Sequence, residues 1–263
     1  MLRSTEELFK YRLEAIDGDI GTVKDIYFDD HTWTVRYLVA DTGTWLPGRK
    51  VLISPASVSQ PDWEAGALPV SLTVEQIENS PSIESERPVS RQHEAGLATY
   101  YGWPAYWTPV GVPAGGMTPA GAAAQPAAPR PQEPGKAEHE DPHLRSIDEV
   151  THYYIHASDG EIGHIEEFFV DTDAWIIRYI GVDTRNWLPA KKVLISPAWI
   201  DRISWTRGEA FVRMSRDAIK RSPEYDPSEP ISRQYEQRLH DHYGTPGYWP
   251  GAEQQQEASG GHA

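Results

Sequence analysis

The 263-residue chain has no cysteine. That excludes a disulfide framework, a thiolate metal site and a cysteine nucleophile. Long apolar runs are missing too. No stretch approaches the roughly 20 residues needed to span a bilayer as a helix, and Met1 to Glu7 carries no apolar core of a secretory signal. A cytoplasmic protein is expected. Positive charge is scarce, with 24 Lys and Arg against 39 Asp and Glu and a net charge of −15. A phosphate backbone or an anionic lipid surface is repelled on average. No nucleic-acid partner is therefore expected, and membrane contact is expected only through another protein. No phosphate-cradling glycine loop lies between a strand and a helix.

What the chain does have is an internal repeat. Trp45-Leu46-Pro47 followed by Val51-Leu52-Ile53-Ser54-Pro55-Ala56 returns as Trp187-Leu188-Pro189 followed by Val193-Leu194-Ile195-Ser196-Pro197-Ala198, an offset of 142. The offset holds without a gap from Leu2/Leu144 to Trp107/Trp249. A period this long means duplicated domains rather than a solenoid. The expected organisation is one module at 1–107, a Pro/Ala/Gly-rich flexible linker at 108–142, a second module at 143–249 and a disordered polar tail at 250–263.

Each copy reads alike. Ser4 with Glu7, and Ser146 with Glu149, have the spacing of a capping box and predict a short helical turn. Asp17-Gly18 and Asp159-Gly160 lie between β-prone runs and predict two-residue hairpins. Gly21 and Gly163 fall where a bulge or a close strand approach is expected. A third strand is expected to start at Trp33 or Trp175, a fourth to end before Pro55 or Pro197, and a fifth at 67–73 or 210–215. Short, evenly spaced strands with turns between them predict a small antiparallel barrel. Val89, His93, Leu97 and Tyr101, and Ile231, Tyr235, Leu239 and Tyr243, lie four apart as on one helix stripe. Gly102 and Gly244 sit at the C′ position. An aromatic arm, Tyr-Gly-x-Pro-x-Tyr-Trp in consensus, ends each copy.

Leu2-Arg3-Ser4 with Glu7, Tyr11, Asp17-Gly18, Ile20-Gly21, Asp29 and Tyr37 resemble a PRC-barrel domain, and the second copy repeats the pattern. That family takes its name from the cytoplasmic domain of the photosynthetic reaction-centre H subunit and includes the C-terminal domain of a ribosome-maturation factor. The resemblance implies two small β-barrels used for macromolecular contacts, without catalytic residues. The Trp-Leu-Pro stretch and the aromatic extension look like a subgroup of bacterial tandem PRC-barrel proteins. There is no membrane helix before the barrel and no RNA-processing domain, which are departures from the two named relatives.

The repeat also serves as a control on chemistry. None of the ten histidines recurs at +142. His31 matches Asp173, His93 matches Tyr235 and His240 matches Ala98. A duplicated histidine site is excluded. His152 and His156 could ligate a metal on a helix, but the hairpin makes their segment a strand that separates them. Ser54 and Ser196 recur without a repeated general base. No catalytic residue, metal or cofactor is expected. Arg91 and Glu94 read as an i, i+3 helix pair worth a few tenths of a kcal/mol. Arg36 and Asp41, with Arg178 and Asp183 as their counterparts, read first as ion pairs and turn caps within a module and second as a pair across an exposed barrel face that meets a partner. With the aromatics Trp45, Trp107, Trp187 and Trp249 they are the candidate interaction residues. The arms are expected to dock on a barrel, their own or the other copy's.

The expected function is a non-catalytic protein-interaction scaffold, its partner another protein. Pairing of the modules within a chain, or a homo-oligomer, fits the same pattern. The alternatives are an accessory factor of a membrane-bound photosynthetic or electron-transfer complex, an enzyme with a site between the modules, and an RNA-binding accessory protein.

Overall fold

The computed structural model describes residues 1–43, 46, 49–81, 83–84, 89, 91–107, 143–184 and 191–250. Of the candidate residues, Trp45 and Trp187 lie outside these, as do the expected linker and most of the tail.

The first copy runs β1 (Leu2–Ser4), α1 (Thr5–Leu8), β2 (Arg12–Glu14), β3 (Asp19–Asp29), β4 (Val35–Asp41), β5 (Arg49–Ile53), β6 (Ala67–Pro69), α2 (Val74–Glu78), β7 (Ile83–Glu84) and α3 (Arg91–Tyr101). The second runs β8 (Leu144–Ser146), α4 (Ile147–Val150), β9 (Tyr154–Ala157), β10 (Gly160–Asp171), β11 (Ile176–Asp183), β12 (Lys192–Ile195), β13 (Ile200–Ser204), β14 (Glu209–Val212), α5 (Arg216–Arg221) and α6 (Arg233–Tyr243). The two lists correspond element for element at the repeat offset, apart from short bridges that stand in for β7 or β13 in the other copy.

The sheets are not partitioned by copy. One has the order β12-β11-β10-β9-β14-β13 and takes β1 from the first copy alongside β10. The other has the order β6-β2-β3-β4-β5-β7 and takes β8 from the second copy alongside β3. Leu2 pairs with Asp171 and Leu144 with Asp29, the same register in both directions. The copies thus exchange their N-terminal strands about a pseudo-twofold axis, the internal counterpart of domain swapping in a dimer. The short helices follow their strands across, α1 packing on β10 and α4 on β3.

The exchange continues into the polar contacts and the core. The Phe168 amide donates to Thr5 Oγ1 at 3.2 Å. Asp25 accepts from Ser146 Oγ at 2.6 Å and from the Asp148 amide at 3.1 Å. Phe28 and Phe168, both fully buried, meet across the axis with ring centroids 6.2 Å apart. One hydrophobic cluster contains Leu8, Leu13 and Ile26 together with Val150, Ile165 and Tyr179. Each half alone would leave that surface open, and its burial is the main force holding the halves together.

Four expectations differ from the structure. The sheets are not purely antiparallel, because β2 runs parallel to β6 and β9 parallel to β14. Among the described residues no pairing closes either sheet into a barrel. Trp33 and Trp175 do not begin strands. They sit at φ 57° and 54° in the preceding turns, a region uncommon for bulky side chains. The turns clasp each other there, with the Val35 amide donating to the Trp175 carbonyl and the Ile177 amide to that of Trp33, both at 2.8 Å. The hairpin connections are Ile16-Asp17 and Ser158-Asp159, one residue earlier than expected. The Asp17 and Asp159 side chains reach out of them to α2 and α5, accepting from the amides of Val74 at 2.8 Å and Arg216 at 2.7 Å.

Gly21 and Gly163 behave as expected. Their φ values are 130° and 143°, and a Cβ on either would lie 1.9 Å from the carbonyl oxygen of Asp41 or Asp183. Ser4 and Ser146 accept from the amides of Glu7 and Glu149, but Glu7 turns to Arg3 and Tyr11 instead of closing its box.

Candidate functional site

The clasped turns leave a groove on each side of the pseudo-twofold axis. The larger holds about 690 Å³. Its floor is Ile176, Ile177 and Arg178 at the start of β11. One wall is His31, Thr32 and Trp33 from the first copy, and the other is Ser196 to Ile200 with His240, Thr245, Pro246 and Tyr248. Pro197 starts a 3₁₀ turn capped by Ser196, whose hydroxyl accepts from the Ala198 amide at 3.4 Å. That turn carries Trp199 to the groove, buried to 5% exposure.

The smaller groove, about 280 Å³, is the equivalent place on the other side, lined by Val35, Arg36, Tyr37, Trp103, Tyr106, Trp107 and Trp175. Here the indole comes from the arm. Trp103 Nε1 donates to Ser57 Oγ at 2.6 Å, and the ring stacks on Tyr101 at 4.3 Å. At +142 Ser57 becomes Trp199, Trp103 becomes Thr245 and Ala98 becomes His240. The second copy has moved its indole from the arm to the 3₁₀ turn, where it packs on Tyr243 at 4.7 Å. Space is left open where Trp103 lies in the first.

Behind the larger groove is a buried polar network. Tyr179 donates to Glu236 Oε1 at 3.1 Å, Tyr248 to the same oxygen at 2.7 Å, and Arg233 lies 3.0 Å from Oε2. His240 Nε2 is 3.0 Å from the Tyr179 hydroxyl oxygen, and Nδ1 is 3.1 Å from Thr245 Oγ1. Tyr179 gives its one proton to Glu236, so Nε2 donates to the phenol oxygen and Nδ1 accepts from Thr245. His240 is neutral in that arrangement, and burial pushes its pKa below the ordinary histidine value. Burial likewise raises Glu236, against the hydrogen bonds from Tyr248 and Tyr179 and the charge of Arg233 that oppose it. Glu236 and Glu94 are 3% and 1% exposed. The expected i, i+3 pair forms in the second copy, Arg233 with Glu236, and in both copies the glutamate is also a buried carboxylate that ties the aromatic arm to the helix. Tyr106 donates to Glu94 in the first copy as Tyr248 does to Glu236. Both arms dock on their own copy.

The sequence-predicted residues divide. Arg36 stacks over Tyr106 at 3.6 Å and lies 3.8 Å from Asp29, and Arg178 lies over Tyr248 at 4.0 Å and 3.5 Å from Asp171. Neither pairs with the expected aspartate. Arg36 and Asp41 are five residues apart on one strand, with a β-bulge at Arg36, and about 16 Å of strand separates them. Asp41 accepts from the Gly43 amide at 3.0 Å, and Asp183 is buried, 3.8 Å from His164. Trp107 lines the smaller groove. Trp249 packs edge-on against His240 at 5.3 Å, with Arg233 over it at 4.4 Å. Sequence reasoning missed Trp103, Trp199, Tyr179 and His240 as a set. The signal was present in the positions where the copies differ.

The segment from β2 to the start of β6, carrying Arg36 and the clasping turn, matches a family model. A PRC-barrel domain is found at residues 11–68. It supplies Trp33 to the larger groove and the floor of the smaller one. No curated protein matches the chain. Among the described residues, no helix is long and apolar enough to cross a membrane.

Proposed function

We propose that this chain is a non-catalytic, cytoplasmic protein-interaction scaffold in which both copies act as PRC-barrel modules, and that its larger groove takes an extended peptide segment with an apolar anchor from a protein partner. The observation that carries this is the inequality of the grooves. The same architecture is narrowed by the Trp103 indole to about 280 Å³ on one side and stays at about 690 Å³ on the other, with Trp33, Trp199, Pro246 and Tyr248 around it. Aromatic walls around a concave site suit an apolar anchor. The PRC-barrel domain at 11–68, a protein-interaction module, supports the same reading.

The test is a groove-filling variant. Thr245→Trp places in the second copy the indole that the first already has. A purified partner that binds the wild type and loses at least tenfold in affinity for Thr245→Trp would support the proposal. Equal binding to both would remove the groove from it.

One observation favours a second reading, an enzyme. His240, Tyr179 and Glu236 border the groove, and His240 has no counterpart in the first copy. Both ring nitrogens of His240 are engaged, however, and its side chain is buried, which suits holding α6 against β11. Substrate turnover lost in His240→Ala would reverse the preference.

A further inference from the structure

We propose that the chain binds one zinc-class divalent cation through Asp30, His31 and His143, at the seam between the copies. This stands apart from the groove reading and runs against the expectation from sequence that the protein holds no metal. One carboxylate oxygen and two imidazole nitrogens, each from a different residue, lie within 4.8 Å of one another. Asp30 and His31 come from the turn after β3. His143 comes from the residue before β8, and only strand exchange brings it there. Leu144 pairs with Asp29, and the Asp30 amide donates to the His143 carbonyl at 3.0 Å. The backbone fixes the two segments together before any side chain is considered.

The Asp30 carboxylate points to a ligand. Its side chain is 6% exposed. Arg145, itself buried beneath Trp205, holds Oδ2 at 3.1 Å. The other oxygen, Oδ1, is buried with no hydrogen-bond partner. It lies 2.7 Å from His31 Nδ1, but not in hydrogen-bond geometry. A buried acceptor left unmatched costs about 1–3 kcal/mol. A buried carboxylate oxygen and an imidazole nitrogen that converge off hydrogen-bond geometry are placed as two ligands of one ion would be. In a tetrahedral site with bonds near 2.0–2.1 Å, ligand atoms stand about 3.3 Å apart. The imidazoles of His31 and His143, 5.4 Å apart between ring centroids, are exposed and can turn to meet that spacing.

The donor set chooses the ion. Two imidazoles and one carboxylate suit Zn²⁺ and its neighbours, whereas Mg²⁺ and Ca²⁺ prefer oxygen ligands. Arg145 orients the carboxylate in the way that supporting partners orient metal ligands. The site is also absent from the other side of the axis. There Thr172, Asp173 and Met1 stand in place of Asp30, His31 and His143. It therefore belongs to the positions where the two copies differ, not to the shared architecture.

The test is titration of Zn²⁺ into the metal-stripped full-length chain by calorimetry, with Mg²⁺ as a control. One Zn²⁺ is expected at this site, with no comparable Mg²⁺ binding. His31→Gln and His143→Gln, both exposed and checked for an unchanged circular dichroism spectrum, should each weaken Zn²⁺ binding at least tenfold. His152→Gln, remote from the cluster, should leave it unchanged. Failure to bind Zn²⁺, or equal affinity in the His31→Gln/His143→Gln double variant, would overturn the proposal and leave Asp30 and His31 as an ordinary ion pair. Asp30→Asn adds a second arm. If it folds and binds Zn²⁺ as tightly as wild type, the carboxylate is not a ligand.

Discussion

The two grooves beside the clasped turns begin from the same template and end with different contents. In one, Trp103 from the arm fills the space and meets Ser57. In the other, Trp199 from the 3₁₀ turn packs sideways on Tyr243 and leaves about 690 Å³ open. Packing is nearly conserved, since each side retains one indole. Shape is not. Duplication supplies two copies of a core that must stay intact, and the freedom to diverge collects where the core does not depend on the residue.

That comparison can be broken most forcefully at the positions the copies share. Gly21→Ala and Gly163→Ala each drive a methyl group into a strand carbonyl. Each should cost about 3 kcal/mol or more, and by similar amounts, read from denaturant midpoints. A large inequality would mean that the copies are not equivalent in their shared architecture.

Next comes the relocated indole. Trp199→Ser removes it and should cost about 3 kcal/mol, in the range of large-to-small core changes. Adding Thr245→Trp rebuilds the first copy's arrangement and should recover part of that loss, a coupling of about 1 kcal/mol or more between contacting sites. Additive effects would show that the two positions do not share one space. His240→Ala should be milder, about 1–2 kcal/mol, from the buried phenol it leaves short of a partner.

The smallest effect is on pH dependence, at the seam. Glu167, the counterpart of Asp25, is pushed up to about 7, chiefly by burial and then by Glu6. Its folded pKa is raised, so its favourable contribution is full below the ordinary glutamate range and is lost as pH rises toward 7. Glu167→Gln should therefore flatten the fall in stability between about pH 4.5 and 7, measured as Tm against pH. An unchanged slope would mean that this carboxylate ionises in the folded protein as it does in water.

Much of this was legible from local chemistry. The glycines at 21 and 163, the prolines ending β5 and β12, the serine caps and the C′ glycines each follow from a backbone requirement that a residue type meets alone. Gly244 is left-handed at φ 62° as expected. What was not legible depended on contacts between distant segments. Leu2-Arg3-Ser4 reads as the approach to a helix because three residues carry no period, and nothing local says that its ladder partner is Phe169 to Asp171. Arg36 and Asp41 share one strand but lie about 16 Å apart along it, with a bulge at Arg36 that no local signal announces. The histidine comparison looked only for repeated sites and so passed over Asp30, His31 and His143, which the seam brings together from both copies.

The central claim is that strand exchange makes the two copies one cooperative unit. Differential scanning calorimetry of the full chain tests it most directly. The account predicts a single transition whose calorimetric and van't Hoff enthalpies agree. Two resolved transitions, one for each copy, would contradict it.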